Sequence, residues 1–529
     1  MALGHDGYVN DLPYTSNAFV GLSPVNLRLP ALVAGVDVAP FERGGVMWEL
    51  GCGYGNGLIS AAAAYPECQF VGVDFNPAHI AGGRRRIATL GLTNIELLEA
   101  DFAELAARPG SLPPCDLAVI HGVYSWVGAP VRAALQDLLR QGVRSGGLVF
   151  LSYNVLPGSQ DMAVFQRALL EASRLSVGRS DVRLEAAKDR IKALRAAGAG
   201  QLVRDGLMKE LFEKIESAPT AYLVHEYMNE SWDALYHSQV AADMAAARLD
   251  YAGSAVPHEN FPNAMLTPAQ LEALEDIALP AVRETLRDMF LQRILRRDLY
   301  MRGLTRMSGA GREEVLRDQL FCAASRQDGN PVTLNWPAGE VEVPAPYLQA
   351  GQVLWRDGPT SLRALLDGPL AGSGSSAAEA VAILVSSGLA WPCLPPPSSE
   401  VSAVVQRAVF DLAERACRLG LGESGAVPAP RVGSELPVGG LEARVLDGLW
   451  QGVPNDTPAL VEHVWAPFEA AGEWLVHKGE RIEDGAQCRA VLTEMLDRLR
   501  PERIPLWRGL GMLPPEGTVP AGSGGTPRP

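Results

Sequence analysis

The chain has 529 residues, of which 47% are hydrophobic and 20% are charged. This length is enough for about three domains, and the composition is that of a globular protein rather than a disordered one. The formal net charge of −15 argues against generic binding to nucleic acids or anionic membranes, because such surfaces collect Lys and Arg.

The cysteines and the apolar runs indicate the cellular compartment. The seven cysteines are widely spaced and form no C-x-x-C pair, which argues against a disulfide framework or a zinc ribbon, and no metal site is predicted. The N-terminus has no basic start followed by an apolar block, and no run reaches the roughly 18 apolar residues of a membrane span. The prediction is a cytoplasmic protein with no membrane insertion.

Residues 45–175 alternate apolar runs with helical patterns, after an N-terminal cap segment over 1–44. The predicted strands lie at 46–50, 70–73, 95–98, 117–120 and 148–151. The predicted helices between them lie at 58–65, 77–90 and 131–140. This alternation predicts an α/β fold with a doubly wound, Rossmann-like parallel sheet, whose ligands bind at the carboxyl ends of the strands.

Beyond residue 158 the periodicity is helical, with Ser180 as a candidate N-cap. The predicted helices lie at 161–174, 181–197, 201–216, 231–247, 282–302, 401–419 and within 441–499. The segments 395–399 and 422–430 look like connectors, because they are rich in Pro, Gly and Ser. The predicted accessory units are a helical middle domain over 176–306, a small winged-helix-like α+β domain over 307–395, a C-terminal helical domain over 396–515 and a disordered tail over 516–529.

A glycine-rich string that begins at Glu49 follows the first predicted strand. It reads Glu49-Leu-Gly51-Cys-Gly53-Tyr-Gly55-Asn-Gly57. Glycines at the start of a helix let the backbone approach a ligand closely and leave N–H groups unpaired. The dinucleotide fingerprint requires a third glycine where this chain has Asn56. A carboxylate at Glu49 would repel a pyrophosphate but attract an ammonium or sulfonium, so the string favours a positively charged cofactor.

Two further acids follow the next predicted strands. Asp74 ends the second strand, where a carboxylate can take both hydroxyls of a ribose. Asp101 and Phe102 follow the third strand, offering a carboxylate to an exocyclic amine beside an aromatic ring. With the glycine string, this constellation resembles a class I S-adenosylmethionine-dependent methyltransferase.

The resemblance implies S-adenosyl-L-methionine as the cofactor and assigns its contacts position by position. It places Glu49, Gly51, Gly53 and Gly55 at the methionine end, Asp74 at the ribose, Asp101 with Phe102 at the adenine, and Phe75 and His121 among the other cofactor contacts.

A narrower resemblance rests on strings outside the generic fold. These strings lie at 12–19, 121–126, 152–158 and 222–227. Together they resemble bacterial methyltransferases that carry a methyltransferase regulatory domain, whose characterised relatives are protein-lysine methyltransferases acting on outer-membrane proteins. The resemblance implies a lysine-bearing protein as the partner.

Several polar and aromatic residues are candidates for the acceptor side of the site. His121, Tyr124, Trp126, Tyr153 and Asn154 follow the fourth and fifth strands, where they could form an aromatic slot. His121 or Tyr153 could accept a proton or orient an amine. Alternatively, Tyr124 and Trp126 only pack the loop. In the cap segment, Tyr14 and Asn17 could close over the cofactor or serve as an ordinary cap.

Other functions are weighed against this one. His225-Glu226 suggests an H-E-x-x-H metal motif, but the required second histidine is Asn229. Residues 310–395 could form a DNA-binding winged helix, but their net charge of −4 disfavours phosphate contact. The predicted function is methyl transfer to a nitrogen nucleophile, most simply a protein lysine. The alternatives are a small-molecule N- or O-methyltransferase and a non-catalytic cofactor-binding interaction protein, and the oligomeric state is left open.

Overall fold

The computed structural model describes residues 9, 11–12, 19–477 and 480–514. The first part of the fold alternates helices and strands. In chain order these are α1 (Pro24–Val33), β1 (Val46–Leu50), α2 (Asn56–Ala64), β2 (Gln69–Asp74), α3 (Pro77–Leu90), β3 (Ile95–Glu99), α4 (Phe102–Ala106), β4 (Cys115–Ile120), α5 (Ala129–Gly142) and β5 (Val143–Asn154). All five predicted strands and the three helices between them are therefore confirmed, with bounds shifted by a few residues.

The next part is helical but contributes two strands. Its elements are α6 (Gln160–Ser173), α7 (Ser180–Ala196), α8 (Leu207–Ser217), α9 (Thr220–Tyr227), α10 (His237–Ala246), β6 (Asp250–Ser254), α11 (Pro262–Met265), α12 (Pro268–Glu272), α13 (Pro280–Asp288) and β7 (Leu295–Met301). The strands complete a seven-stranded sheet in the order β3-β2-β1-β4-β5-β7-β6. Strands β1 to β5 are parallel, whereas β7 runs antiparallel to both β5 and β6.

Both faces of the sheet are covered, which explains why its central strands are almost entirely apolar. Successive residues of a strand point to opposite faces, so each strand contributes to two cores. On one face, α1 and α2 cover residues that include Met47, Phe70 and Val119. On the other face, α5 and α10 cover residues that include Trp48, Val71 and Ala118.

The predicted helix over 282–302 is wrong in its second half. Helix α13 ends at Asp288, and the chain then enters β7. Arg296 on β7 is fully buried and pairs with Asp288 at 2.7 Å, Glu284 at 2.9 Å and Asp298 at 3.0 Å. These charges gave the segment a polar pattern, but they neutralise one another inside the protein.

Smaller corrections concern helix starts in the middle region. Ser180 is the first residue of α7 rather than its N-cap, and its N–H donates to the Asp11 carboxylate at 2.8 Å. Helix α8 begins only after Gly206, whose φ is +77°. Helix α10 begins at His237, because Leu235 forms a bridge to the end of β5.

Two further regions follow the sheet. The first contains α14 (Gly309–Arg317), β8 (Leu320–Ala323), β9 (Thr333–Trp336), β10 (Gly339–Glu342), α15 (Ala345–Asp357), β11 (Thr360–Ser361), α16 (Leu362–Asp367), α17 (Ala377–Ser386) and β12 (Ala390–Cys393). The second contains α18 (Ser399–Leu419), β13 (Ser424–Ala429), β14 (Ser434–Gly439), α19 (Gly440–Trp450), α20 (Thr457–Ala470), β15 (Leu475–His477), β16 (Glu480–Ile482) and α21 (Gly485–Gly509). The predicted disordered tail over 516–529 lies outside the described residues.

The predicted connector over 422–430 is wrong, since most of it is strand β13. It pairs with β14 as an antiparallel hairpin that contacts α2. Helix α18 packs on α2 and α3, and Ile59, Ala63 and Leu90 from these helices share a hydrophobic core with the C-terminal region. The C-terminal region is thus joined directly to the helix that follows the glycine string.

Candidate active site

A cavity of about 310 Å³ lies at the carboxyl edge of the parallel strands. It is lined by the glycine loop, by the residues that follow β2, β3 and β4, by Ser152 near the end of β5, and by side chains from α9 and β14. The predicted residues that line it are Glu49, Gly51, Gly53, Asp74, Phe75, Asp101, Phe102, His121 and Trp126. The structure therefore brings together most of the residues that the sequence assigned to one ligand.

The backbone of the glycine loop depends on left-handed conformations. Gly51 has a φ of +84°, and a Cβ there would lie 2.3 Å from the Val123 side chain. Gly55 does not line the cavity, but its φ of +68° starts α2 as its N-cap. The loop thus reaches the cavity through backbone that a larger residue could not adopt without strain.

Glu49 presents a carboxyl group to the cavity, and no described residue hydrogen-bonds or pairs with it. Burial, reinforced by the nearby carboxylates of Glu435 and Asp74, raises its pKa to about 8. A buried carboxylate in this setting favours a ligand that brings a positive charge.

Asp74 is held in place by the loops on either side. Its carboxylate accepts hydrogen bonds from the Gly53 N–H at 2.8 Å and the Asn76 N–H at 2.9 Å. The His79 imidazole lies 3.4 Å from the same carboxylate. The second predicted acid, Asp101, caps α4 by accepting from the N–H groups of the next turn. Both carboxylates are thereby fixed at the cavity wall.

His121 lies at the end of β4 with its ring fixed by β5. Its Nδ1 is 2.9 Å from the Ser152 hydroxyl, which also accepts the Gly122 N–H at 3.0 Å. Phe19 contacts the imidazole edge-on, with 4.6 Å between ring centroids. Burial, reinforced by nearby Arg297, lowers the pKa of His121 to about 4. The imidazole is therefore neutral at pH 7 and adds no positive charge to the cavity.

The structure does not bring Tyr124, Tyr153 and Asn154 to the cavity, where the sequence predicted an acceptor slot; all three are buried away from its lining. The Tyr124 hydroxyl donates to Asp243 at 2.7 Å, within the core beneath the sheet. The Tyr153 hydroxyl donates to Asp298 at 2.7 Å, and burial with that carboxylate raises the pKa of Tyr153 well above its usual value. Asn154 is 3% exposed, and its N–H donates to Ser125.

Alternation along β5 explains the position of Tyr153, because Ser152 faces the cavity and its neighbour must face the opposite core. Trp126 does line the cavity. Tyr14 and Asn17 lie outside the described residues.

Helix α9 adds two side chains that the sequence did not assign to this site. His225 and Glu226 both line the cavity. The His225 Nε2 lies 2.9 Å from the Leu12 carbonyl oxygen. Glu226 is half-buried, and burial raises its pKa to about 7 although Lys214 acts in the opposite direction. The signal in the sequence that could have identified them is a pair of adjacent polar residues on a mostly apolar helix. The same pair was compared with the metal-binding motif above.

The hairpin β13–β14 also reaches the cavity, through Ser434. Its neighbour Glu435 is 1% exposed and accepts hydrogen bonds from Ser60 and from Arg86, each at 3.1 Å. Arg86 also donates to the Asn56 side chain, at the first residue of α2. The C-terminal region is therefore connected to the glycine loop through one arginine.

Two general features of the described part of the chain complete the picture. No group of three or more His, Cys, Asp or Glu side chains there is arranged to hold a metal ion. No helix among the same residues is long and apolar enough to cross a membrane.

Two family models match separate parts of the chain. A methyltransferase domain matches residues 48–149, which hold the glycine loop and strands β2 to β4. A predicted methyltransferase regulatory domain matches residues 219–302, which hold α9 and both antiparallel strands. The cavity lies where the two segments meet.

Two known proteins resemble the chain over nearly its whole length, and a third resembles it over less than half. The uncharacterized protein sll1526 of Synechocystis sp. is 28% identical over 512 residues, which cover 96% of this chain and 99% of the relative. The uncharacterized protein RP789 of Rickettsia prowazekii is 28% identical over a segment that covers 43% of this chain and 42% of the relative. The solved structure of PKMT2 from Rickettsia typhi in complex with AdoHcy has the same fold, with a TM-score of 0.67, 18% identity, and coverage of 94% of this chain and 99% of the other.

Proposed function

We propose that this chain, a class I S-adenosylmethionine-dependent methyltransferase, transfers methyl groups to the side-chain amine of lysine in a protein substrate. The observation that carries the proposal is the full-length similarity in fold to PKMT2, a protein-lysine methyltransferase. That similarity extends beyond the methyltransferase domain to the accessory regions, which cover most of the chain.

The residues of the cavity fit the cofactor. In this proposal Glu49 takes the ammonium of the methionine part, Asp74 takes the ribose hydroxyls, and Asp101 with Phe102 takes the adenine. The absence of a described partner for Glu49, together with its raised pKa, supports the first of these roles. When bound, S-adenosylmethionine supplies an electrophilic methyl carbon with a neutral thioether as leaving group.

The chain's own task is alignment and exclusion of water, since methyl transfer is an in-line displacement that needs no metal. The neutral His121 beside Ser152 leaves room for a cationic sulfonium without repulsion. Trp126 and Phe19 provide apolar walls that favour the neutral form of an amine. These features suit an amine nucleophile, and the fold similarity supports lysine in particular.

The test is incubation of the full chain with radiolabelled cofactor and extract of the parent cells. We expect label in protein that withstands acid and base treatment and that appears as methyl-lysine after hydrolysis. The Asp74→Ala variant is expected to lose both labelling and calorimetric binding of the cofactor. Label confined to small organic molecules would contradict the lysine proposal and favour the small-molecule methyltransferase.

A further inference from the structure

Helix α9 places one carboxylate, Glu226, on the wall of the cavity that also holds Asp74 and His121. The side chain is half-buried, and no described residue hydrogen-bonds or pairs with it. Of the other acids in the cavity, Asp74 and Asp101 each accept backbone hydrogen bonds, whereas Glu49, like Glu226, has no described partner. Glu226 is thus a carboxylate aimed at the cavity with its hydrogen-bonding capacity unused by the described chain.

The charged and titratable groups around Glu226 do not neutralise it. They are Lys214 on α8, Tyr222, His225 and Tyr227 on α9, and the cavity-lining side chains His79 and Asp74. Lys214 is the nearby cation, but its ammonium donates to the Tyr222 hydroxyl at 2.6 Å and lies over the Tyr222 ring. A half-buried carboxylate without a partner is costly, and a ligand that brings an N–H cation removes that cost.

A lysine substrate brings such a cation, because the free side chain has a pKa of about 10.4 and enters the cavity as an ammonium. We propose that Glu226 binds this ammonium and accepts its proton before methyl transfer. The inference rests on the proposed function and assigns its acceptor site to the segment matched by the regulatory-domain model. Glu226 would accordingly be a catalytic residue contributed from outside the methyltransferase domain.

The proposed step balances in atoms and charge. The lysine ammonium transfers one proton to the Glu226 carboxylate, giving a neutral amine and a carboxylic acid. The amine lone pair then attacks the methyl carbon, so that a C–N bond forms while the C–S bond breaks and its electrons remain on sulfur. The products are a methyl-ammonium and a neutral thioether, and Glu226 afterwards releases its proton to water. The raised pKa of about 7 suits this exchange near neutral pH.

The first experiment measures recognition of an amine without knowledge of the natural substrate. Two analogues of the cofactor carry nitrogen in place of sulfur, one bearing a 2-aminoethyl chain and the other an isosteric propyl chain. We expect the wild-type chain to bind the amine analogue about tenfold more tightly by calorimetry, and Glu226→Gln to lose this preference. Both proteins should bind S-adenosylhomocysteine equally. The control is Glu230→Gln, because Glu230 is exposed and pairs with Arg174 instead.

The second experiment measures the pH profile of kcat/KM on the labelled protein substrate. The wild-type profile should fall on the acid side of about pH 7, as Glu226 takes a proton. Glu226→Gln should be slower by about 100-fold and lack this limb. The inference would be overturned if Glu226→Gln kept the full rate or the full amine preference. It would also be overturned if the wild-type chain bound the amine analogue and the propyl analogue equally tightly.

Two outcomes separate this inference from others. Weaker binding of S-adenosylhomocysteine by Glu226→Gln would assign the carboxylate to the cofactor and so overturn the acceptor role. If the wild-type chain labels only small molecules and Glu226→Gln loses the amine preference, lysine is refuted as the substrate. The role of Glu226 as an amine-binding residue then stands. Stable lysine labelling that Glu226→Gln carries out at the wild-type rate would refute the Glu226 role alone.

Discussion

Glu49 shows how one residue can couple the affinity of a site to the stability of the fold. Its carboxyl group is harder to ionise in the folded chain than in the unfolded chain, because burial and two neighbouring carboxylates oppose its charge. Between the pKa of the unfolded chain and that of the folded chain, the folded state therefore keeps a proton on Glu49 that the unfolded state has released. The stability due to this proton is complete below about pH 4.5 and is lost as the pH rises through about 8.

We predict that Glu49→Gln removes this pH dependence. The free energy of unfolding of the wild-type apoprotein should fall between pH 5 and pH 8 by a few kcal/mol more than that of the variant. The same substitution should weaken S-adenosylhomocysteine binding at pH 8 by about 10- to 100-fold, because a charged hydrogen-bond acceptor is lost. Urea denaturation and calorimetric titration provide the two measurements.

The matched control for Glu49 is Glu67→Gln, since Glu67 is exposed and pairs with Arg43 at the surface. It should alter neither quantity. Unfolding free energies of the wild type and Glu49→Gln that run parallel from pH 5 to pH 8 would refute the electrostatic account.

Single residues also mark the limit of what the sequence can predict about the site. The acids Glu49, Asp74 and Asp101 lie at or just beyond the ends of strands that are apolar enough to recognise, so their meeting at one edge was predictable. Ser152 and Tyr153 lie in the last part of β5, a strand that was equally easy to recognise in the sequence. Which of the two faces the cavity depends on the register of the strand and on the residues buried on the other face of the sheet. Asp298, the partner of Tyr153, lies on a strand that the sequence concealed.

Among the elements, the hairpin β13–β14 links the C-terminal region to the start of α2. Glu435 is buried against Arg86, which in turn holds Asn56. Replacing Glu435 with Ala should leave Arg86 without its charge partner and destabilise the chain by about 3 kcal/mol. If the hairpin also holds the glycine loop, S-adenosylhomocysteine should bind about tenfold more weakly to Glu435→Ala, as calorimetry would measure.

The comparison variant for the hairpin is Glu473→Ala, an exposed position of the same region, which should leave both values unchanged. Reduced stability with unaltered affinity for S-adenosylhomocysteine would mean that the hairpin supports the fold and leaves the loop alone.

Elements were predictable where burial determined their composition. Strand β1 is recognisable because both sheet faces are covered and its residues are nearly all apolar. Strand β7 was not, since Arg296 and Asp298 place charges where a buried strand is expected to be apolar, and only the folded ion cluster explains their burial. Strand β13 contains Gly425 and Pro428, which are typical of a loop, and a two-stranded hairpin tolerates a residue without an N–H.

At the scale of the whole molecule, the net charge of −15 creates a long-range field that favours basic partners. We predict that KM for a lysine-bearing protein substrate rises as salt increases from 50 to 300 mM, while kcat changes little, because screening weakens encounter and leaves the cavity unaffected. Initial-rate kinetics at several salt concentrations would test this. A KM that is insensitive to salt would show that the field has no part in substrate capture.

The antiparallel strand β7 has a consequence for how the protein is made. It pairs with β5 along the whole of that strand's carboxyl half, yet about 140 residues of chain separate the two. At the usual pace of synthesis of about 5–20 residues per second, the ribosome needs on the order of ten seconds to supply the missing strand. During that interval the apolar edge of β5 is open to pairing with other nascent chains, so we expect the growing polypeptide to depend on chaperones until residue 301 has emerged.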